Sequence, residues 1–405
     1  MEKFTNGRQA TCKFTQLYGK KTFAQFARYE KLVADFKKKF HADYCFLASS
    51  SGRVELVGNH TDHNGGKVVG CTIDLDIIAA FLPNDTNTVV VCGNNYKDIV
   101  IDLAEIDTLE GGSAGMVKGV LAGLKNRGKQ IGGFTALLHS TVPSGAGLSS
   151  SAAFQLLIGA IENALYNNGE ISPQTLAEVG QFAENVYFNK PCGLLDQGVI
   201  AVGGVVGIDF RHGFAETKLG RNLLGLQMVV VDTGKSHASL TAHYAAIPAE
   251  MRSVAQLFGK ERLIDVDEAA FLQRFAQVKE QAGERPALRA KHFFEENRRV
   301  EQVAEALHSG DTQLLLQAVT NSGNSSISQL QNCSVAGDDT VKDAVLLARK
   351  ICPECASRVH GGGFQGTILA LLGKDVSQFA AAMADRYGQN KVHVLKVRSV
   401  GATVL

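Results

Sequence analysis

The chain has 405 residues, with 41 Lys+Arg against 40 Asp+Glu and a formal net charge of +1. That balance excludes a global field steering it to nucleic acid or to an anionic membrane. Gly supplies 42 residues and Pro only 7, which argues against collagen and Pro-rich disorder.

The hydrophobic share of 45% is enough, at this length, to bury a sizeable core. No run approaches the ~18 apolar residues of a membrane span. The N-terminal stretch MEKFTNGRQATCKFTQLYGKK mixes charges and polar residues, so no signal peptide is expected. Eight scattered cysteines read as reduced thiols in a cytoplasmic protein. The pair Cys352 and Cys355 is a lone C-x-x-C and reads as structural.

In chain order, residues 21–40 predict a helix with Phe23, Phe26, Leu32, Phe36 and Phe40 on or near one face. Short strand-like runs follow at Tyr44–Ala48, Val54–Val57, Cys71–Phe81, Asn87–Cys92 and Ile99–Leu103. Ala114–Leu124 predicts a helix, Gly133–His139 a strand, and Ser150–Tyr166 a long helix after a Gly/Ser loop. Ser172-Pro173 is a helix start, Ser as N-cap and Pro at the first helical position. Gly203–Asp209 and Gln227–Asp232 return to strand. Residues 249–320 are mostly helical, and strands near 367–372 and 392–399 flank a helix at 376–387. Mixed strands and helices without strict βαβ alternation predict an α+β fold. A boundary in Arg211–Glu216 divides the chain into domains 1–215 and 216–405.

Three glycine loops and two acids carry the chemistry. The first loop is GRVELVGNHTDHNGG, from Gly52 to Gly66, where Asn59, His60, Asp62 and Asn64 offer donors and acceptors that suit sugar hydroxyls. A surface turn is the plainer reading of that composition, and His60, Asp62 and His63 have no metal-ligand spacing. The second is VPSGAGLSSSAA, from Val142 to Ala153, set between a strand and a long helix. Small residues admit an anion close to backbone N–H groups, and the helix N-terminus adds its positive dipole end. The third, RVHGGGFQGT, satisfies G-x-G-x-x-G through Gly361, Gly363 and Gly366. An apolar strand-like run follows it, so a dinucleotide-binding oxidoreductase is poorly supported. Glu184 and Asp196 lie among apolar neighbours, and phosphoryl transfer needs a metal ligand and a group near the attacking hydroxyl.

The ordered set GRVELVGNHTDHNGG, VPSGAGLSSSAA, AENVYFNKPCGLLDQG and GGGFQGT resembles the GHMP small-molecule kinases, and within them the galactokinase branch. The resemblance runs from about Phe36 onward. It implies two domains with the active site between them, the N-terminal one like the second domain of ribosomal protein S5. It implies phosphorylation of the anomeric hydroxyl of galactose, with ATP and Mg²⁺ as cofactors. Gly145, Ala146, Gly147, Leu148, Ser149, Ser150 and Ser151 would wrap the ATP phosphates, and Ser151 and Glu184 would hold Mg²⁺. Asp196 would face the anomeric hydroxyl, with Arg53 stabilising it. Asn59, His60, Asp62, Gly193 and Tyr244 would contact the sugar. A monomer with no nucleic-acid or membrane partner is expected.

The family usually carries Glu at the position of Asn59 and Tyr at that of His63. Asn still accepts a hydrogen bond, but one worth roughly 0.5–1.5 rather than 1.5–3 kcal/mol. A related GHMP kinase acting on another monosaccharide, or a non-catalytic sugar and ATP sensor, are the alternatives.

Overall fold

Residues 46–57 look like two strands separated by Ser49-Ser50-Ser51-Gly52, yet they form one strand, β1 (Phe46–Val57), buried along its whole length. The chain was analysed as a computed structural model that describes residues 1–19, 22–93, 96–189, 192–234, 240–335, 337–364 and 366–405. Serines tolerate this burial in part because the Ser49 hydroxyl donates to the Asp76 carboxylate at 2.5 Å. Strand β1 pairs antiparallel with β2 (Lys67–Pro83). Their register jumps from Ser51 opposite Asp76 to Arg53 opposite Thr72, so Gly52 alone faces three residues of β2. This bulge bends the pair where the site lies.

The first sheet continues through β3 (Thr88–Gly93), β4 (Tyr96–Asp102), β5 (Phe134–Ser140), β6 (Val205–Asp209) and β7 (Ala215–Gly220). The boundary expected near 215 therefore falls at the start of a strand paired to β6 in this sheet. The change of sheet comes later, between Gly220 and Gln227. A second, four-stranded sheet has the order β11-β8-β10-β9, from β8 (Gln227–Asp232), β9 (Ala356–His360), β10 (Thr367–Leu372) and β11 (Val392–Leu395). Strand β12 (Thr403–Val404) then returns to pair with β1.

Side chains alternate across the strands, and each face finds its own cover. Leu47, Ile78, Ala80 and Leu137 pack with Phe14, Tyr29 and Phe36 of α1 (Thr11–Tyr18) and α2 (Thr22–Phe40). The intervening residues Phe46, Ala48, Ile77, Ala79 and Phe81 face a core shared with α3 (Gly112–Asn126) and α4 (Ser150–Tyr166). Ser172 caps α5 (Pro173–Phe182) by accepting from Thr175 N–H, as the sequence predicts. A π-helical turn, Ala183–Tyr187, follows it and carries Glu184, and α6 (Leu195–Val202) follows.

The charged 249–320 region resolves into α7 (Thr241–Gln256), α8 (Glu268–Gln273), α9 (Phe275–Ala282), α10 (Glu284–Ser309) and α11 (Thr312–Ser325). Val303, Leu315 and Val319 pack on the inner face of the second sheet, with Met228, Val230 and Leu369, in the same core as the first sheet. The outer face is covered by α12 (Thr340–Ile351) and α13 (Val376–Tyr387) through Val341, Val345, Phe379 and Met383. Among the described residues no helix is long and apolar enough to cross a membrane. Cys45, Cys71, Cys92, Cys192, Cys333, Cys352 and Cys355 are free thiols.

Candidate active site

The bulge in β1 brings the first and second glycine loops together. A Cβ on Gly52 would lie 2.6 Å from the Leu148 carbonyl, so only glycine lets the second loop approach here. The Arg53 N–H donates to that same carbonyl at 3.2 Å. The Arg53 side chain is 5% exposed and points at α6. Its Nε and Nη2 reach Asp196 Oδ1 at 2.8 and 2.6 Å, and its Nη1 donates to the Gly147 carbonyl at 2.7 Å. Asp196 lies in the first turn of α6 and its side chain is 37% exposed.

The second loop is built on left-handed backbone. Gly145 and Gly147 have φ of 77° and 70°, and Ser149, the N-cap of α4, has φ of 61°. A non-glycine residue there is strained, and such strain concentrates at functional sites. The Ser149 hydroxyl donates to Asp196 Oδ2 at 2.5 Å, which leaves the backbone N–H groups of this loop as its means of meeting a phosphate. The two residues are thus coupled, and the loop's first helical turn points at the acid. A Cβ on Gly147 would come within 2.5 Å of Thr367 Oγ1 at the start of β10.

Glu184 is 2% exposed. Its carboxylate accepts from Gln155 Nε2 at 2.5 Å and from the Ser151 hydroxyl at 3.4 Å. The π-helical turn displaces it from the regular path of α5 and aims it at the N-terminus of α4; such turns occur often at functional sites. A hydroxyl and a buried carboxylate at the mouth of the phosphate-type loop are hard oxygen donors that fit Mg²⁺, which keeps several waters and phosphate oxygens among its ligands. No cluster of three or more His, Cys, Asp or Glu ligands occurs among the described residues.

The sugar-type residues meet one another and the third glycine loop. A Cβ on Gly193 would sit 1.7 Å from Asp62 Oδ2, so that glycine is required by the carboxylate next to it. His60 is half-buried, and its Nε2 faces the Gly362 carbonyl at 2.9 Å. A carbonyl only accepts, so Nε2 carries the proton. Burial, followed by the neighbouring His63, pushes the His60 pKa down to about 4 against the pull of Gly362 and Asp62. Tyr244 donates to the Gly363 carbonyl at 3.0 Å and packs against Gly362. Asn59 is 1% exposed and is held by Gly361 and Asn332. Tyr244, His60 and Asn59 therefore all grip the third glycine loop. Gln365 of that loop, and Lys190 and Pro191 of the segment before Asp196, lie outside the described residues.

Several neighbours carry no sequence signal of their own. Gln155 orients Glu184. Glu296 of α10 accepts from the Gly58 N–H at 3.0 Å and the Ser322 hydroxyl at 2.5 Å, fixing the start of the first loop from below. Burial alone would raise its pKa; His292 first, then the Arg358 and Arg299 cations and the Ser322 hydroxyl, bring it down to about 2. His360 lies 3.5 Å from Arg53 Nη1. Its burial, and then the Arg53 and Arg358 cations, push its pKa well down, so it adds no further positive charge behind Arg53. Its position directly before Gly361 was the one available hint.

Comparison with known proteins matches this arrangement. The galactokinase galactose-binding signature covers residues 34–83, and the GHMP kinases N-terminal domain covers residues 115–204. The chain thus carries a galactokinase galactose-binding signature and a GHMP kinases N-terminal domain on an α+β fold that resembles solved GHMP kinases. A galactokinase of Lactococcus lactis, solved in complex with galactose, is similar over 93% of this chain and 99% of its own, with 25% identity and a TM-score of 0.81. The mevalonate kinase of Methanococcus jannaschii shares the fold over 87% of this chain and 98% of its own, at 16% identity and a TM-score of 0.59. A D-glycero-D-manno-heptose 1-phosphate kinase from Bacteroides thetaiotaomicron does so over 89% and 98%, at 14% identity and 0.61.

Proposed function

We propose that the chain phosphorylates the anomeric hydroxyl of galactose from ATP, giving galactose 1-phosphate and ADP. The observation that carries this reading is the triad Arg53–Asp196–Ser149, which ties a partly exposed carboxylate to the phosphate-type loop. The galactose-binding signature over 34–83 supports the sugar.

In this reading Gly145 to Ser151 and the start of α4 hold the ATP phosphates through backbone N–H groups. Ser151 and Glu184 would hold Mg²⁺, which when bound neutralises charge developing on the phosphate oxygens. His60, Asp62 and Gly193 orient the sugar so that its anomeric oxygen faces the γ-phosphorus. That oxygen forms the new P–O bond while the bond to ADP breaks, and its proton passes to the Asp196 carboxylate. Asp196 is fixed by the Arg53 guanidinium and the Ser149 hydroxyl. That fixed geometry supplies positioning and charge stabilisation as the main sources of rate. Arg53 serves both, holding Asp196 and placing positive charge beside the transferring group.

A coupled ADP-release assay across a panel of monosaccharides tests the proposal. Turnover with galactose above all others is expected. Turnover with another sugar and none with galactose would reassign the substrate, and no turnover with any sugar would sink the kinase reading.

A further inference from the structure

Asn59 stands where related kinases usually carry a glutamate, and its surroundings explain an amide. Its Nδ2 donates to the Gly361 carbonyl at 2.8 Å, and its Oδ1 accepts from Asn332 Nδ2 at 2.9 Å. Asn332 Nδ2 also reaches the Gly362 carbonyl at 3.2 Å. The amide orientations follow from chemistry. Two backbone carbonyls can only accept, so each must face an amide nitrogen, and Asn59 Oδ1 must face the remaining donor. A carboxylate at position 59 would set oxygen against oxygen at Gly361.

The pair is sealed, with Asn59 1% and Asn332 0% exposed. Asn332 grips the loop a second time, because its own carbonyl accepts from the Phe364 N–H. A Cβ on Gly363 would lie 2.4 Å from that same carbonyl. Below the pair, the Asn59 carbonyl faces His292 Nε2 at 2.9 Å and the Asn59 N–H faces Glu296. Asn59 is thus fixed from both sides before any ligand arrives.

We propose that Asn59 and Asn332 form a carboxamide clamp that holds Gly361–Phe364 against the first glycine loop. Asn59 is then a positioning residue of the site, and it does not read a sugar hydroxyl through charge. Asn332, which no motif includes, is its partner. The clamp stands on the contacts alone; its effect on sugar binding rests on the sugar-kinase reading.

The test combines hydrogen exchange of the unliganded protein with steady-state kinetics. Asn59→Asp is nearly isosteric, removes the donor and adds charge. Asn59→Ser removes the clamp without charge and covers the case in which the aspartate variant does not fold. Exchange across Gly361–Phe364 should quicken about tenfold in each, as expected when a buried hydrogen bond is lost and a carbonyl left unpaired. The galactose KM should rise about tenfold with the ATP KM changed less than about twofold. Asn332→Leu should act in the same direction, and combining it with Asn59→Ser should cost less than the sum of the two. Direct reading of a sugar hydroxyl predicts the reverse for Asn59→Asp, an equal or lower galactose KM with unchanged loop exchange, and that result overturns the proposal. Unchanged exchange in both Asn59 variants also overturns it. Quickened exchange in a protein that phosphorylates no galactose would keep the clamp and reject the substrate.

Discussion

Two residues of β1, Arg53 and Glu55, lie opposite Thr72 and Gly70 in an unbroken stretch of register, so their side chains leave the same face of the sheet. Each forms an arginine–carboxylate pair with a residue distant in sequence. Arg53 meets Asp196 at 2.6 Å, and Glu55 meets Arg358 at 2.8 Å. Their surroundings differ. The Asp196 side chain is 37% exposed, whereas those of Glu55 and Arg358 are 5% and 0% exposed. Arg358 spends its other donors on the Leu56 and Val359 carbonyls. Burial raises the Glu55 pKa despite the Arg358 and Arg53 cations. Two pairs of one chemistry, a dipeptide step apart, thus differ in setting: the open one reaches solvent through Asp196, and the closed one joins the two sheets. Exposure on one side, not the presence of a salt bridge, is what distinguishes the proposed reacting carboxylate, Asp196, from Glu55.

The largest effect expected from this contrast is at Asp196. Asp196→Asn should lower kcat by about 10²–10⁴ while isothermal titration still detects galactose binding and the melting temperature stays near that of the parent. A large fall in melting temperature would erase the distinction between the two pairs. The closed pair should behave inversely. Arg358→Met leaves a buried carboxylate alone and should cost about 3–5 kcal/mol in denaturant unfolding. Adding Glu55→Leu should recover most of that loss, since replacing both partners by apolar groups is often near neutral.

A third carboxylate sharpens the comparison through pH. The Glu296 pKa is about 2 in the fold against 4.5 ordinarily. The ionised form is therefore favoured by folding, and its contribution is complete above about pH 4.5 and lost as pH falls toward 2. Glu296→Gln should lower the stability at pH 7, and unfolding curves should show that gap closing through the same window. The smallest effect belongs to His60. With a pKa of about 4 it stays neutral, so the galactose KM should hold between pH 8 and about pH 5. A break near pH 6.5 that disappears in His60→Gln would contradict this.

Much of the site was legible because its parts are local. The Gly/Ser loop, the Ser172-Pro173 cap and the helix at 150–166 depend on near neighbours, and the structure realises each of them. Other features depend on distant partners. The serines of β1 look like a break until Asp76 is placed beside Ser49. That the Ser149 hydroxyl also meets Asp196 shows only once α6 is placed beside it. Asn332 sits in a polar stretch without pattern, and only folding sets it between two glycine loops. Strand β7 and helix α6 were not anticipated at all. The first is an edge strand of mostly exposed residues without apolar alternation, and the second is only 8 residues long.

The buried Asp76 has a consequence for synthesis. Its carboxylate is fully enclosed and is held by Arg28 and Arg398, with the Ser49 and Tyr18 hydroxyls also donating to it. Burial works against its charge, and the two cations outweigh it and lower its pKa. Arg28 precedes Asp76 on the ribosome, but Arg398 lies 322 residues downstream. At about 5–20 residues per second, the nascent chain waits roughly 16–64 s for its second cation. Until then the first sheet carries a half-compensated charge at its centre, so it settles only when the late arginine emerges. A chain stalled before that residue would present an open, unfinished sheet to chaperones and proteases.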